Sequence, residues 1–499
     1  MSHDMSTAAD AARAIEPAAL LEYIRSRRWF GAKGGAPASA RIVDVTPLPW
    51  ADGAFAILRV EVGTTHGTQL YQLPVAARPG LPAGVQAIAR VGDLTLFDAT
   101  EEPAFRRELA DVFARGLVVE GSGENWIVEP AGENSLILPP DAAITLSRTE
   151  QSNTSMRLGS VAILKLYRKL ERGINPEIET AAFLTIEREF PHTPVLLGSM
   201  RWENSDGPMV GGMLQELVPE ARDGWVYALE AGRPYFMAPR NTEPRNAFGE
   251  DAAQLGRITR AMHEVLASGD EGTAFTAEPV SRRSAEAWAE RARAQIGSTI
   301  VLLERQLQAR ALPGDRLEEG KIVARRRDHY IALVDDIAGH IAADPGLCIR
   351  HHGDYHLGQV LRTASGEFMI IDFEGEPART LEERRRRQSG LRDVAGMLRS
   401  FSYAAAVLAS EAREGRHGID PGTIELRTGR WERDARKSFL HGYFGDEPAD
   451  FLPREPDNAR RLLSLFEIEK VFYELSYELN HRPDWVGIPL RGIARLTTG

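Results

Sequence analysis

Cysteine is the scarcest residue in this chain, with Cys348 alone among 499 positions. No internal disulfide can form, and a reducing compartment such as the cytoplasm suits the protein. Cys348 itself reads as a small apolar packing residue rather than a nucleophile. Positive charge is also short: 60 Lys and Arg face 71 Asp and Glu, a net charge of −11. Phosphate backbones favour basic surfaces, so nucleic acid is excluded as the default partner. No apolar run reaches the ~18 residues of a membrane span. The N-terminus, MSHDMSTAADAARAIEP, lacks the basic-then-apolar order of a signal peptide. The expectation is a cytoplasmic protein with no membrane partner. Its 43% hydrophobic and 26% charged content is that of a globular chain, and 499 residues exceed one ordinary core. Two or three lobes are therefore expected.

What the chain does have is concentrated in residues 350–377, RHHGDYHLGQVLRTASGEFMIIDFEGEP. Two apolar runs, Val360-Leu361 and Phe368-Met369-Ile370-Ile371, flank Thr363-Ala-Ser-Gly-Glu367, whose turn chemistry predicts a β-hairpin. Asp354 precedes Gln359 by 5 residues and Asp372 by 18. In phosphoryl-transfer enzymes of the kinase type, a base Asp is followed five residues later by a metal-binding amide and then by a metal-binding Asp. On that template Asp354 is the candidate base, Gln359 stands where Asn is usual, and Asp372 would grip magnesium. Glu374, two residues on, would ligate metal through water or orient the acceptor. The chemistry needs one carboxylate to orient the attacking hydroxyl and hard oxygen ligands for the Mg²⁺ that bridges ATP phosphates. A surface hairpin with solvated acids is the plain alternative. The full string H-G-D-x-H-x-x-Q…I-D-F-E disfavours it.

HGDYHLGQVLR followed by IIDFEGEP resembles bacterial maltokinases, a branch of the aminoglycoside-phosphotransferase-like, eukaryotic-like kinases. RRWFGAKG, EQSNTS with LKLYRKLERGINPEIE, LRDVAGMLRSF and EKVFYELSYELNHRPDW extend the likeness over almost the whole chain. The resemblance implies an α+β, bilobal protein-kinase-like fold with an N-terminal α+β cap. Residues 1–138 would be the cap, 139–218 the lobe with phosphate loop, lysine strand and hinge, and 219–499 a mainly helical lobe. It also implies ATP and Mg²⁺ as cofactors and transfer of the γ-phosphate to the anomeric hydroxyl of maltose. The product would be maltose 1-phosphate, for α-glucan synthesis from trehalose. Two rival readings stand. A related kinase acting on glucosamine or glucose would share every phosphoryl-transfer residue. An inactive kinase-like scaffold would use its cap to hold a partner such as trehalose synthase; joint retention of Lys165, Asp354, Gln359 and Asp372 speaks against it.

Elsewhere the chain gives weaker signals. Strand-like runs at 42–45, 54–62, 69–73 and 94–98, then a helix near 103–116, predict the α+β cap. Ser152, Asn153, Thr154 and Ser155 form a polar turn without the glycines that usually cradle phosphate; in isolation it reads as a plain hairpin turn. Lys165, inside the apolar strand Ile163–Tyr167, is either an edge gatekeeper or the lysine that pairs with the phosphates. Asn175-Pro176 opens a helix whose Glu179, with Glu177 second, is the expected carboxylate partner. Main-chain groups around Glu216 to Val218 would serve adenine at a hinge. His263 falls mid-helix and reads as a core or surface histidine. The run Arg384–Arg387 reads as a solvated helix. By resemblance Asp393 would bind the acceptor or brace the catalytic loop. On the helix 462–480, Lys470, Tyr473, Glu474 and Glu478, with Trp485 beyond it, supply the carboxylates and aromatic faces that sugars use. His356 joins them as a sugar-binding candidate.

Overall fold

Alternating apolar residues in the first 220 positions become two antiparallel sheets, as the period of two dictates. The computed structural model describes residues 7–30, 36–65, 67–121, 123–132, 136–147, 153–239, 242, 244–415 and 419–496. They divide into two compact units, Met1–Pro219 and Glu220–Gly499.

In the first unit, one sheet orders Pro37–Pro47, Phe55–Thr64, Gly67–Arg78, Leu94–Asp98 and Ala87–Val91. The alanine-rich start is a short helix, Ala8–Arg13, whose Ala8, Ala9, Ala11 and Ala12 are buried. Side chains no larger than methyl let that helix lie close to the sheet, and Leu20, Tyr23 and Ile24 of Pro17–Arg25 extend the same core. The opposite face packs Trp50, Phe55, Phe105 and Phe113 against Trp126 and Trp202 of the second sheet. That second sheet runs Leu117–Val119, Asn125–Pro130, Leu196–Asn204, Gly207–Glu216, Ala162–Tyr167, Asn153–Leu158 and Ile144–Leu146. It therefore takes residues 117–130, expected in the cap, into the same sheet as Lys165. Lys169–Leu170, directly after the lysine strand, pairs with Gly67–Arg78 of the first sheet.

The second unit is mostly helical, as expected. Phe248–Leu266 and Pro421–Phe444 meet through glycine: a Cβ on Gly256 would lie 2.1 Å from the Phe439 carbonyl oxygen, and one on Gly442 would lie 2.1 Å from that of Ala253. Two backbones in direct contact leave no slack, which fixes the height at which His263 and Tyr443 face each other. Leu391–Glu414 and Pro456–His481 pack beside them. The hairpin read from the sequence is present as Val360–Arg362 and Phe368–Ile370 in antiparallel register, with Arg222–Asp223 as a third strand. The α+β class expected from the sequence is the class observed. Among the described residues no helix is long and apolar enough to cross a membrane.

Candidate active site

In the first unit the local order around Lys165 follows from strand pairing. Lys165 lies opposite Ser155 on one side and Met213 on the other. Its Nζ is 2.7 Å from Glu177 Oε1, with both side chains almost wholly buried. The sequence ranked Glu179 ahead of Glu177, and the ion pair in the structure is to Glu177. Asn175 sets the start of that helix: its side-chain oxygen accepts from the backbone N–H of Glu177 and Ile178, so Pro176 opens it and both glutamates stand in its first turn. The Tyr167 hydroxyl, two residues along the lysine strand, donates to the other oxygen of Glu177. Arg168, buried, ion-pairs with Asp98 at 2.8 Å and donates to the Thr154 hydroxyl oxygen at 2.8 Å.

The polar turn is displaced from its expected place. Asn153, Thr154 and Ser155 are the opening residues of the strand Asn153–Leu158, while Ser152 lies outside the described residues. Small polar residues resembled turn chemistry, but Met156 and Leu158, both buried, carry the segment into the sheet. Thr154 is engaged by Arg168 and Ser155 is buried. At the expected hinge, the Glu216 and Leu217 amides donate to Val195 and Val161 carbonyls. The Val218 amide has no hydrogen-bond partner among the described residues.

In the second unit the hairpin register places the metal candidates. Val360 pairs with Ile370, and the Ile371 amide donates to the Gln359 carbonyl at 3.0 Å. Gln359 thus ends the turn Leu357–Gln359 directly beside the residue before Asp372. Asp372 has φ of 70°, a left-handed conformation that costs a non-glycine residue of order 1–3 kcal/mol and clusters at functional sites. His352 joins the two segments. Its Nδ1 accepts from the Asp354 amide at 3.4 Å and its Nε2 donates to the Ile371 carbonyl at 2.9 Å. Gln359, Asp372 and Glu374 offer only hard oxygens, the donor chemistry that Mg²⁺ takes.

Asp393 holds the loop that presents Asp354. Its carboxylate accepts from the backbone amides of His352 (2.7 Å) and Gly353 (2.9 Å) and from His263 Nε2 (3.1 Å). His263 Nδ1 then faces the Tyr443 hydroxyl at 2.9 Å. Burial would raise the pKa of Asp393, but His351 and the hydrogen bond from His263 outweigh it and hold the carboxyl well below the usual range. Of the two roles weighed for Asp393, this geometry is that of a brace. His263, read as a core or surface histidine, is fully buried and belongs to that brace.

Asp354 lies in the wall of a cavity of about 690 Å³, with Glu376, Glu469, Lys470 and Tyr473 among its other lining residues. The Tyr473 hydroxyl donates to Glu376 at 3.1 Å, and Lys470 Nζ sits 5.5 Å from the Tyr473 ring centre. His356 is not among the residues that line the cavity: it caps the turn Leu357–Gln359, accepting from the Gly358 amide, and burial lowers its pKa, partly offset by Asp354. The remaining sugar candidates are not brought to this cavity. Glu474 is buried against Arg399 at 2.8 Å. Glu478, fully buried, accepts from Tyr403 and Arg482, each at 2.8 Å. Trp485 stacks on Tyr403. Lys470 and Tyr473 of Pro456–His481 line the cavity, whereas Glu474 and Glu478 of the same helix are buried on partners inside the bundle. Sequence reasoning missed Glu376, Arg379 and Glu469. The first two follow the hairpin directly, which was the available signal. Cys348 has its thiol pushed up to about 11 by burial, so it is no nucleophile.

Solved structures give the class of fold. A glucosamine kinase in complex with glucosamine, ADP and inorganic phosphate aligns over 99% of this chain and 100% of its own, with a TM-score of 0.68 at 20% identity. Crystal form B of glucosamine kinase gives 0.68 at 21% identity, again over 99% and 100%. The chain thus has an aminoglycoside-phosphotransferase-like kinase fold. Residues 23–101 match the maltokinase N-terminal cap domain. Among curated relatives, a glucosamine kinase of Streptacidiphilus jiangxiensis is 27% identical over 345 residues, 68% of this chain and 70% of that one. A second, from Mycolicibacterium smegmatis, is 26% identical over 345 residues, 68% and 76% of the two chains. The likeness to maltokinases lies in the cap segment and the likeness to glucosamine kinases in the fold and about two thirds of the sequence, and together they support a maltokinase-like kinase.

Proposed function

We propose that this protein is an ATP-dependent sugar kinase that phosphorylates maltose at its anomeric hydroxyl, giving maltose 1-phosphate and ADP. The observation that carries the reading is Asp354, fixed on a braced loop in the wall of a cavity that also presents Tyr473, Lys470 and Glu376. The volume of about 690 Å³ is within the range of small-molecule sites and exceeds what one hexose ring fills. The maltokinase-type cap supports the disaccharide. The names of the relatives favour a second reading, in which glucosamine is the acceptor.

In this mechanism Asp354 accepts the hydrogen bond of the acceptor hydroxyl and takes its proton as the oxygen bonds to the γ-phosphorus and the bond to ADP breaks. Gln359, Asp372 and Glu374 would hold Mg²⁺, which neutralises charge on the phosphates when bound. Lys165, kept extended by Glu177, serves the α- and β-phosphates. Asp393 and His263 keep the Asp354 loop in place without touching the acceptor. The test is ADP release by the full chain with Mg²⁺-ATP. Maltose must accelerate release well above the sugar-free rate and yield maltose 1-phosphate; release indifferent to maltose would refute that acceptor.

A further inference from the structure

His351 is a polar side chain of the acceptor cavity that the proposed mechanism leaves without a task. It lines the same cavity as Asp354, which follows it three residues later. The backbone just after it is fixed, because Asp393 accepts from the amides of His352 and Gly353. The imidazole is thus carried by the braced loop. Neither of its ring nitrogens has a hydrogen-bond partner among the described residues, and Nδ1 is buried. Nε2 lies 3.8 Å from where a Cβ on Gly353 would stand. Gly353, itself a lining residue, carries no side chain to cover it. Other polar side chains of the wall are engaged. Gln388 accepts from the Trp288 indole at 3.1 Å, Glu376 accepts from the Tyr473 hydroxyl at 3.1 Å, and Arg392 pairs with Glu469 at 3.0 Å.

Burial lowers the pKa of His351 to about 4, with Asp393 opposing, so the ring is neutral near pH 7. A neutral imidazole carries its proton on one nitrogen only. With no acceptor for Nδ1 inside the wall, the proton is better placed on Nε2, as a donor beside Gly353. Polar groups in native interiors are nearly always paired, so a donor without a partner in the wall of a binding cavity points to the ligand. We propose that His351 is a specificity-determining residue of the acceptor site, donating from Nε2 to a hydroxyl oxygen of the bound sugar. The inference rests on the sugar-kinase reading and adds a contact to it. A site built to hydrogen-bond a hydroxyl rejects acceptors that lack one there, because its own donor is then left unpaired.

The test uses the full chain with Mg²⁺-ATP and maltose, and reads both Michaelis constants. His351→Leu removes the donor. It should raise the KM for maltose roughly tenfold and leave the KM for ATP within about twofold, the pattern of a lost substrate contact. The amide nitrogen of His351→Gln reaches about as far along the side chain as Nε2, and the KM for maltose should stay within about threefold of the parent protein. His351→Asn, whose nitrogen stops near the place of Nδ1, should behave as the leucine variant does. If the leucine variant does not fold, the glutamine and asparagine variants decide the matter. Equal KM values for maltose in those two, or an equal rise in both Michaelis constants, overturn the proposal and leave the sugar-kinase reading standing. If the parent protein transfers phosphate from ATP to no sugar, the reading falls and takes the proposal with it.

Discussion

Lys165 finds its carboxylate 12 residues along the chain, across one strand and one helix cap. The loop carrying Asp354 is held by Asp393, 40 and 41 residues downstream of the amides it accepts, and Asp393 is fixed in turn by His263, 130 residues away. The first arrangement is built from neighbours and needs only the strand Ala162–Tyr167 and the start of the helix that follows it. The second exists only once Phe248–Leu266, Leu391–Glu414 and Pro421–Phe444 have packed, with Gly256 and Gly442 letting two helices touch. A locally built pair tunes one side chain, whereas a brace assembled over long separations ties the same groups to both activity and stability.

Asp393→Asn should break the comparison most severely. One buried carboxylate serves two amides and a histidine, and removing its charge should cost about 3–5 kcal/mol of stability. It should also lower kcat by roughly 100-fold through a displaced Asp354 loop. Chemical denaturation and steady-state kinetics read the two effects. If only one of them moved, the brace would not link fold to chemistry.

The same buried region should make stability depend on pH. Burial lowers the pKa of His351 from 6.5 to about 4, opposed by Asp393, and its Nδ1 has no hydrogen-bond partner among the described residues. Between those values the unfolded chain binds a proton that the folded chain refuses. The contribution is complete above pH 6.5 and is lost as pH falls towards 4, amounting to no more than about 3 kcal/mol. His351→Gln should flatten this part of the profile in thermal melts from pH 7.5 to 4.5.

Glu177→Gln should have a smaller and narrower effect. A roughly tenfold rise in the KM for ATP is expected, with the denaturation midpoint little changed. A large stability loss instead would make the lysine strand behave like the brace. The smallest effect is expected at Trp485→Phe, with the KM for maltose moving less than about twofold, since that ring stacks on Tyr403 rather than lining the cavity.

The contrast also explains how much could be read in advance. The hairpin, the lysine strand, the cap helix Pro103–Arg115 and the α+β class were legible because each depends on period, turn chemistry and capping within a short window. Glu177 was ranked behind Glu179 because either residue suits a first turn, and only strand packing decides which one meets Lys165. Glu474 and Glu478 resembled a sugar-binding face because a helix read alone shows its charged positions but not its neighbours. Arg399 and Tyr403, which claim them, come from a helix some 75 residues earlier. The cavity wall was hidden for the same reason: Arg291, Arg379 and Glu469 belong to three separate segments.

Asp354 tests the account most directly. Replacing it by Asn keeps the shape and removes the acceptor of the proton, and turnover with maltose is measured alongside the affinity for Mg²⁺-ATP. The account predicts a fall in turnover of roughly 100-fold or more with nucleotide affinity nearly unchanged. Turnover within about twofold of the parent protein would contradict it.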